Sequence, residues 1–466
     1  MRILRLLCAV TAVCSLAQAH VGTSDVYFEG QAGPYKLLVT VKTPGAIPGI
    51  AEIEVRSATP GIRQLEVAPL RLVGEGSKYS PAPDVVQPSK LDPQYFVSHL
   101  WLMQFGGLQV RIKAEGDQGT GEVSIPVQAV ASRVLGMQQG LGIVLSALGL
   151  LLAIGIISIT GAASREGKLE AGLSPTPAQR SRARISMGLA AVLVTAILYG
   201  GNRWWIAEAN NYQRRIYKAP QAEASIRDGR LVLTSGARKL DMLLPDHNHL
   251  MHLFAVRAPQ MDRLLHLHPE RVDDTTFSAK LPHMDAGEYR IYADIVDKSG
   301  IGETLVARLQ TSGQPGEPLE GDDSAGVAPT VLGNQSPLAD GAHMIWERDL
   351  QPLESRKASN FRFRIVSADG TPAADLQPYM GMAGHAVFLA ADGSVFAHVH
   401  PSGSVPMPLL ALAARQPDPH AGHDMAAPST VEFPFGFPKP GEYRIFVQVK
   451  RNGKVDTGFF AARVDR

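Results

Sequence analysis

The chain carries 14 His and 13 Met but only 2 Cys in 466 residues, and both cysteines, Cys8 and Cys14, lie in an apolar N-terminal stretch. Beyond that stretch, disulfides, thiolate catalysis and Cys-based zinc sites are excluded, and the composition offers imidazole and thioether but no thiol. These groups recur in register. Seven residues after Pro245 and after Pro378 comes a histidine, His252 and His385; in between, His247 corresponds to Met380 and His249 to Met382. Further along, His266-Leu267-His268-Pro269 matches His398-Val399-His400-Pro401. The candidate metal ligands are therefore His247, His249, His252, His266 and His268 in one copy and Met380, Met382, His385, His398 and His400 in the other. Imidazole and thioether differ greatly as packing residues, yet both bind copper, with Met favouring Cu(I). Exchange of one for the other is what divergence of a copper-type site would produce.

Side chains two apart on a strand share a face, so His266/His268 and His398/His400 should each project together, with a facing strand adding His252 or His385. The second copy, which holds Met380 and Met382, is expected to prefer Cu(I) more strongly than the first. An insertion between His400 and Gly441 contains His420-Ala421-Gly422-His423-Asp424-Met425 and adds His420, His423 and Met425 as candidates. His20 is a further candidate, because cleavage after Ala19 would leave an imidazole and a free α-amino group on one residue. The competing reading is structural: a strand-end histidine can simply bond a turn, and methionines can fill a gap in a core. His99, His283 and Met284 fall outside the register and read as incidental.

The elements that must position these residues are strands. Residues 20–133 alternate with period two at Tyr35, Leu37, Val39 and Val41, and again at Val123, Ile125 and Val127. The region 222–466 is an internal repeat, since Gly287-Glu288-Tyr289-Arg290-Ile291-Tyr292 matches Gly441-Glu442-Tyr443-Arg444-Ile445-Phe446. The expected fold is all-β: three immunoglobulin-like or cupredoxin-like β-sandwich domains at 20–133, 222–311 and 342–466, with a linker at 312–341. Two transmembrane helices are expected at 137–161 and 185–206, around a basic loop at 162–184 read as cytoplasmic. Met1–Ala19 has the basic start, apolar core and Ala-x-Ala end of a signal peptide. Export of the first domain and two later spans would put both soluble regions on the extracytoplasmic side of a bacterial inner membrane.

Met251-His252-Leu253-Phe254 and His266-Leu267-His268-Pro269-Glu270 resemble the strands of bacterial membrane-tethered envelope proteins with YtkA-like and FixH-like sandwich domains. His20 before a sandwich is similar to the mature N-terminus of CopC-type copper proteins. The resemblance implies copper, as Cu(I) or Cu(II), and partners among envelope metal-transport or copper-resistance proteins. In the second copy Ser402 replaces Glu270, so a ligand role for Glu270 does not extend to it.

A net charge of +1 provides no field for polyanions, and nucleic acid is not an expected partner. The sequence has no Gly-x-Ser-x-Gly, phosphate-binding glycine loop or His-Glu-x-x-His. The expectation is a non-enzymatic, membrane-anchored metal-binding or relay protein. A structural or protein-interaction module and a copper-dependent oxidase are the alternatives.

Overall fold

The structure is a computed structural model that describes residues 25–170, 172–348, 351–414 and 427–466. The segment expected to be a signal peptide and the candidates His20, His420, His423 and Met425 lie outside the described residues. The chain divides into two compact units, one formed by residues up to Val130 together with Lys218–Arg466, the other by Ala131–Tyr217.

The second unit is a pair of helices, α1 (Gln139–Glu166) and α2 (Pro177–Arg214). Both are long and apolar enough to cross a membrane. α2 extends past its expected span at both ends, whereas α1 runs past its span at the loop end but starts two residues inside the expected 137. The start of α2 is fixed by a capping box, in which the Thr176 side chain accepts from Gln179 N and the Gln179 side chain accepts from Thr176 N, with Pro177 in the first turn. The helices meet at Gly161, where a Cβ would lie 2.6 Å from Met187 Cγ.

In the first unit six sheets form three pairs. The N-terminal pair, residues 26–129, encloses the alternating residues Leu37, Val39, Val41, Val110, Ile112 and Ile125. In each repeat a four-stranded and a six-stranded sheet enclose a separate core. The segment expected to be a linker is partly strand. Ser324–Val327 pairs with Arg263–Leu267 and widens the first repeat's sheet, and Gln335–Pro337 pairs with His343–Trp346 and opens the second repeat's.

The strands that carry the histidines are buried on both faces, which a two-sided sandwich alone does not explain. In His252–Ala258, Leu253 and Ala255 enter the first repeat's own core, while Phe254 and Val256 on the opposite face join a fourth apolar cluster. In His385–Ala390, Ala386 and Phe388 face the second repeat's core, while Val387 and Leu389 join that same fourth cluster. It also takes in Leu264, Tyr292, Phe396, Phe446 and Phe459. The two six-stranded sheets therefore pack against each other through their outer faces. Tyr292 stacks on Phe396 across this seam, with ring centroids 4.5 Å apart. Strand periodicity does the rest: the apolar residue between each pair of histidines points home, and the histidines point into the seam.

Candidate metal centre

At one end of the seam the apolar side chains give way to eight imidazoles in continuous contact: His247, His249, His252, His266, His268, His385, His398 and His400. In the first repeat Phe254 is opposite His266 and Leu253 opposite Leu267. In the second, Val387 is opposite His398 and Ala386 opposite Val399. This common register brings His252, His266 and His268 together, with ring nitrogens all within 4.8 Å of one another. It also brings together His385, His398 and His400, whose ring centroids are 4.7–5.3 Å apart. The first grouping could hold a metal ion, and so could His385 and His400 together with His247.

In six of the rings the outer nitrogen faces an oxygen, which favours the tautomer protonated there. His252 Nε2 lies 3.1 Å from the Asp246 carbonyl, and His385 Nε2 lies 3.2 Å from the Tyr379 carbonyl. His266 Nδ1 faces Gln448 Oε1 at 2.9 Å; the amide is held in that orientation because its Nε2 donates to Ser324 Oγ. His398 Nδ1 lies 3.5 Å from Asp294 Oδ2. His268 Nδ1 faces Asp323 Oδ1 at 2.9 Å, and His400 Nδ1 faces the Val405 carbonyl at 3.4 Å. With the outer nitrogens protonated, all six inner nitrogens present lone pairs.

Those lone pairs converge. His252 Nδ1 is 3.2 Å from His266 Nε2, and His385 Nδ1 is 3.1 Å from His398 Nε2. Contacts that short are either N–H···N hydrogen bonds or nitrogens that share a cation. Two nitrogens bound at about 2.1 Å to one tetrahedral ion would sit about 3.4 Å apart, so the spacing fits shared coordination. The third nitrogen of each group, His268 Nε2 and His400 Nε2, is buried with no hydrogen-bond partner among the described residues. A second proton on these rings is disfavoured, because burial, followed by repulsion from neighbouring histidines, holds His252, His266, His385 and His400 well below the usual imidazole range. Burial also lowers His268, partly offset by Asp323.

His247 is not placed with its own copy. It and Asn248 occupy a two-residue turn with positive φ, 49° and 69°, closed by Asp246 N to His249 O at 2.8 Å and His249 N to Asp246 O at 2.9 Å. This is a type I′ turn. The His247 ring is 5.2 Å from His385 and 5.1 Å from His400, against 6.3 Å from His252. His247, His385 and His400 offer nitrogens within 4.8 Å of one another. The expectation that His247 serves the first copy is therefore corrected. His249 stacks on His268 at 3.9 Å and turns its Nε2 towards Asp322, 3.6 Å away, at the rim. Met380 and Met382 are buried in the matching turn of the second repeat, where φ is 51° at Met380 and 77° at Gly381. His99 and His283 are exposed beside Glu52 and Asp285, remote from the cluster.

Sequence reasoning missed the residues that orient the rings. Asp294 and Gln448 stand at the same position of matching strands, beside His252 and His385, and each reaches the other repeat's histidine. The readable signal was a polar residue recurring seven after Gly287 and Gly441 in strands that otherwise alternate. The loop carrying His400 has a further constraint. Glu29 N donates to Ser402 O and Ser404 N to Tyr27 O, both at 2.9 Å, so the N-terminal sandwich clamps it. Gly403, at φ 120°, permits this approach, since a Cβ there would lie 1.9 Å from Tyr27 O.

A family described as Domain of unknown function (DUF8832) matches residues 338–466, a segment that contains the second repeat's histidines. No curated protein matches the chain. Among solved structures, a bacterial ice-binding adhesin is 4% identical, covers 90% of this chain and 91% of its own, and has a TM-score of 0.15. An endo-fucoidan hydrolase of glycoside hydrolase family 107 is 9% identical over 91% of this chain and 43% of its own, with a TM-score of 0.16. A Salmonella alpha-2-macroglobulin is 9% identical over 96% and 24%, with a TM-score of 0.17. The chain spans less than half the length of the latter two, and these likenesses carry no argument about it.

Proposed function

We propose that this is a membrane-anchored metal-binding protein that holds copper between its two repeats and serves metal handling or relay at the bacterial cell envelope. The observation that carries the reading is the set of six converging imidazole nitrogens, each on a ring whose other nitrogen is held by an acceptor. A histidine kept only for packing needs one partner. It gains nothing from a second ring aimed, lone pair first, at its own. Copper is favoured over zinc because methionine stands where the other copy has histidine, and thioether is a copper ligand. Resemblance to YtkA-like, FixH-like and CopC-type proteins agrees with copper. An inner-membrane location with both soluble regions extracytoplasmic rests on the signal sequence and on two helices of spanning length.

The test is metal analysis of the full chain purified in detergent, with Cu(I), Cu(II), Zn(II) and Ni(II) offered in parallel. Two tightly held ions per chain, with copper preferred, are expected. Failure to retain any of the four would overturn the reading. A reporter active only in the cytoplasm, fused after Arg466, should be silent; activity would remove the envelope compartment.

A further inference from the structure

We propose that the two repeats exchange their fourth ligand: His247 of the first completes the triad of the second, and Met380 of the second completes the triad of the first. The protein would then hold two unlike ions, a Cu(I)-preferring centre of three imidazoles and a thioether (His252, His266, His268, Met380) and a four-imidazole centre (His385, His398, His400, His247). This inference rests on the metal-binding reading above and specifies its ligands.

Half of the exchange is direct geometry, since His247 groups with His385 and His400. The other half follows from the correspondence between the repeats, which holds at four sets of contacts. His252 to His266 at 3.2 Å matches His385 to His398 at 3.1 Å. His252 to the Asp246 carbonyl matches His385 to the Tyr379 carbonyl. Asp294 reaching His398 matches Gln448 reaching His266. The turn itself is duplicated: Tyr379 N to Met382 O at 2.7 Å and Met382 N to Tyr379 O at 3.1 Å close it just as Asp246 and His249 close the first. Applying the same correspondence to His247 against His385 and His400 puts Met380 against His252 and His268.

Two further observations agree. Tyr379, the residue before Met380, already crosses the seam: its hydroxyl donates to the Asp322 carbonyl at 2.8 Å and lies 3.1 Å from His266 Nδ1. Both exchanged residues also occupy the first central position of a type I′ turn with positive φ, a conformation costly for side chains other than Gly, Asn and Asp. A turn serving only to reverse the chain would take Asn-Gly there. The thioether raises the softness of one centre alone, while the charges stay alike, since each centre has one carboxylate behind its triad, Asp323 on His268 and Asp294 on His398.

The experiment uses the full chain in detergent, loaded with copper under reducing conditions and titrated with a Cu(I) chelator. X-ray absorption should find one sulfur ligand per two copper ions, lost in Met380→Leu. Because His400→Ala disables the second repeat's triad, only the first centre should remain in it. Adding Met380→Leu should weaken that remaining ion by more than the about 10- to 100-fold typical of losing an outer-shell partner. Adding Met380→Leu to His268→Ala should leave the remaining ion unchanged. The reverse pattern, or sulfur ligation that survives Met380→Leu, overturns the exchange while leaving metal binding intact. No metal in the wild-type chain overturns the underlying reading instead.

Discussion

The turns Asp246–His249 and Tyr379–Met382 have the same hydrogen bonds and the same signs of φ, but one presents His-Asn and the other Met-Gly. Much around them is duplicated too, including the strands, the paired imidazoles and a polar side chain from each repeat that crosses the seam to orient a ring. The difference teaches that a repeat can keep its scaffold and change one side chain at its turn, and, under the proposed exchange, the change takes effect in the partner repeat rather than in its own. Under the proposed exchange the thioether would serve the first repeat's triad, and the Cu(I) preference expected of the methionine-bearing copy would belong to the first repeat's centre instead.

The comparison is broken most severely by opening the seam that both triads share. Phe254 is fully buried, stacks on His266 at 4.1 Å and touches Phe396 of the other repeat. Phe254→Ala should cost about 3–5 kcal/mol, read from chemical denaturation, and should weaken both ions together. Loss of one ion alone would show that the centres are independent of the interface. Next comes His398→Ala. It should lower affinity at the four-imidazole centre by more than about 100-fold, a ligand mattering more than an outer-shell partner. His398 is a nearly buried side chain rather than the exposed one its strand-end position suggests. A stability loss of about 1–3 kcal/mol in the metal-free protein is therefore expected as well.

Sharper tests act on the crossing side chains. Asp294→Ala should weaken the second repeat's ion by about 10- to 100-fold, and Gln448→Ala the first repeat's by a similar factor. Competition titration with each triad disabled in turn assigns the ion. If Asp294→Ala weakened the first repeat's ion, the ring-orienting contacts would not be exchanged.

Much of this was readable from residue order. Alternation identified the strands, and the matching Pro-to-His intervals placed the two triads in correspondence, because strand faces and repeat register are local properties. The exchange was not readable, since His247 lies five residues from His252 in sequence and only the turn geometry carries it over to His385. Asp294 and Gln448 were missed for the same reason: each acts on a histidine in the other copy. The strand Ser324–Val327 escaped notice because Ser-Ala-Gly-Val has little β-propensity, and its partner strand supplies the order.

The rims of the two centres differ as well. His249 has Asp322 beside it, 3.6 Å from its Nε2, whereas Met382 offers no such bond. That hydrogen bond first, then Lys450 at 3.1 Å, hold the Asp322 carboxyl down to about 2, against some opposition from burial. A folded-state value below the unfolded one means that the carboxylate contributes stability above about pH 4, which is lost as pH falls towards 2. With the group partly open to solvent, the contribution is about 1 kcal/mol. Asp322→Asn should remove that part of the acid dependence of the melting temperature and leave both ions bound at neutral pH. An unchanged acid limb would detach Asp322 from the stability of the rim.

The smallest effect is expected at the turn's second central position, Asn248 in the first repeat and Gly381 in the second, at φ 69° and 77°. Asn tolerates this region better than other residues with a Cβ, and its side chain also restricts the unfolded chain more than glycine does, so the two terms oppose each other. Asn248→Gly should therefore change stability by no more than about 0.5 kcal/mol, with His247 still in the second centre and copper affinities unmoved. Gly381→Val sharpens the same comparison, because a β-branched residue cannot adopt positive φ without strain and must distort the turn that carries Met380. It should weaken only the ion held by His252, His266 and His268. If it weakened the ion held by His385, His398 and His400 instead, the turn would serve its own repeat and the exchange would fail at its simplest point.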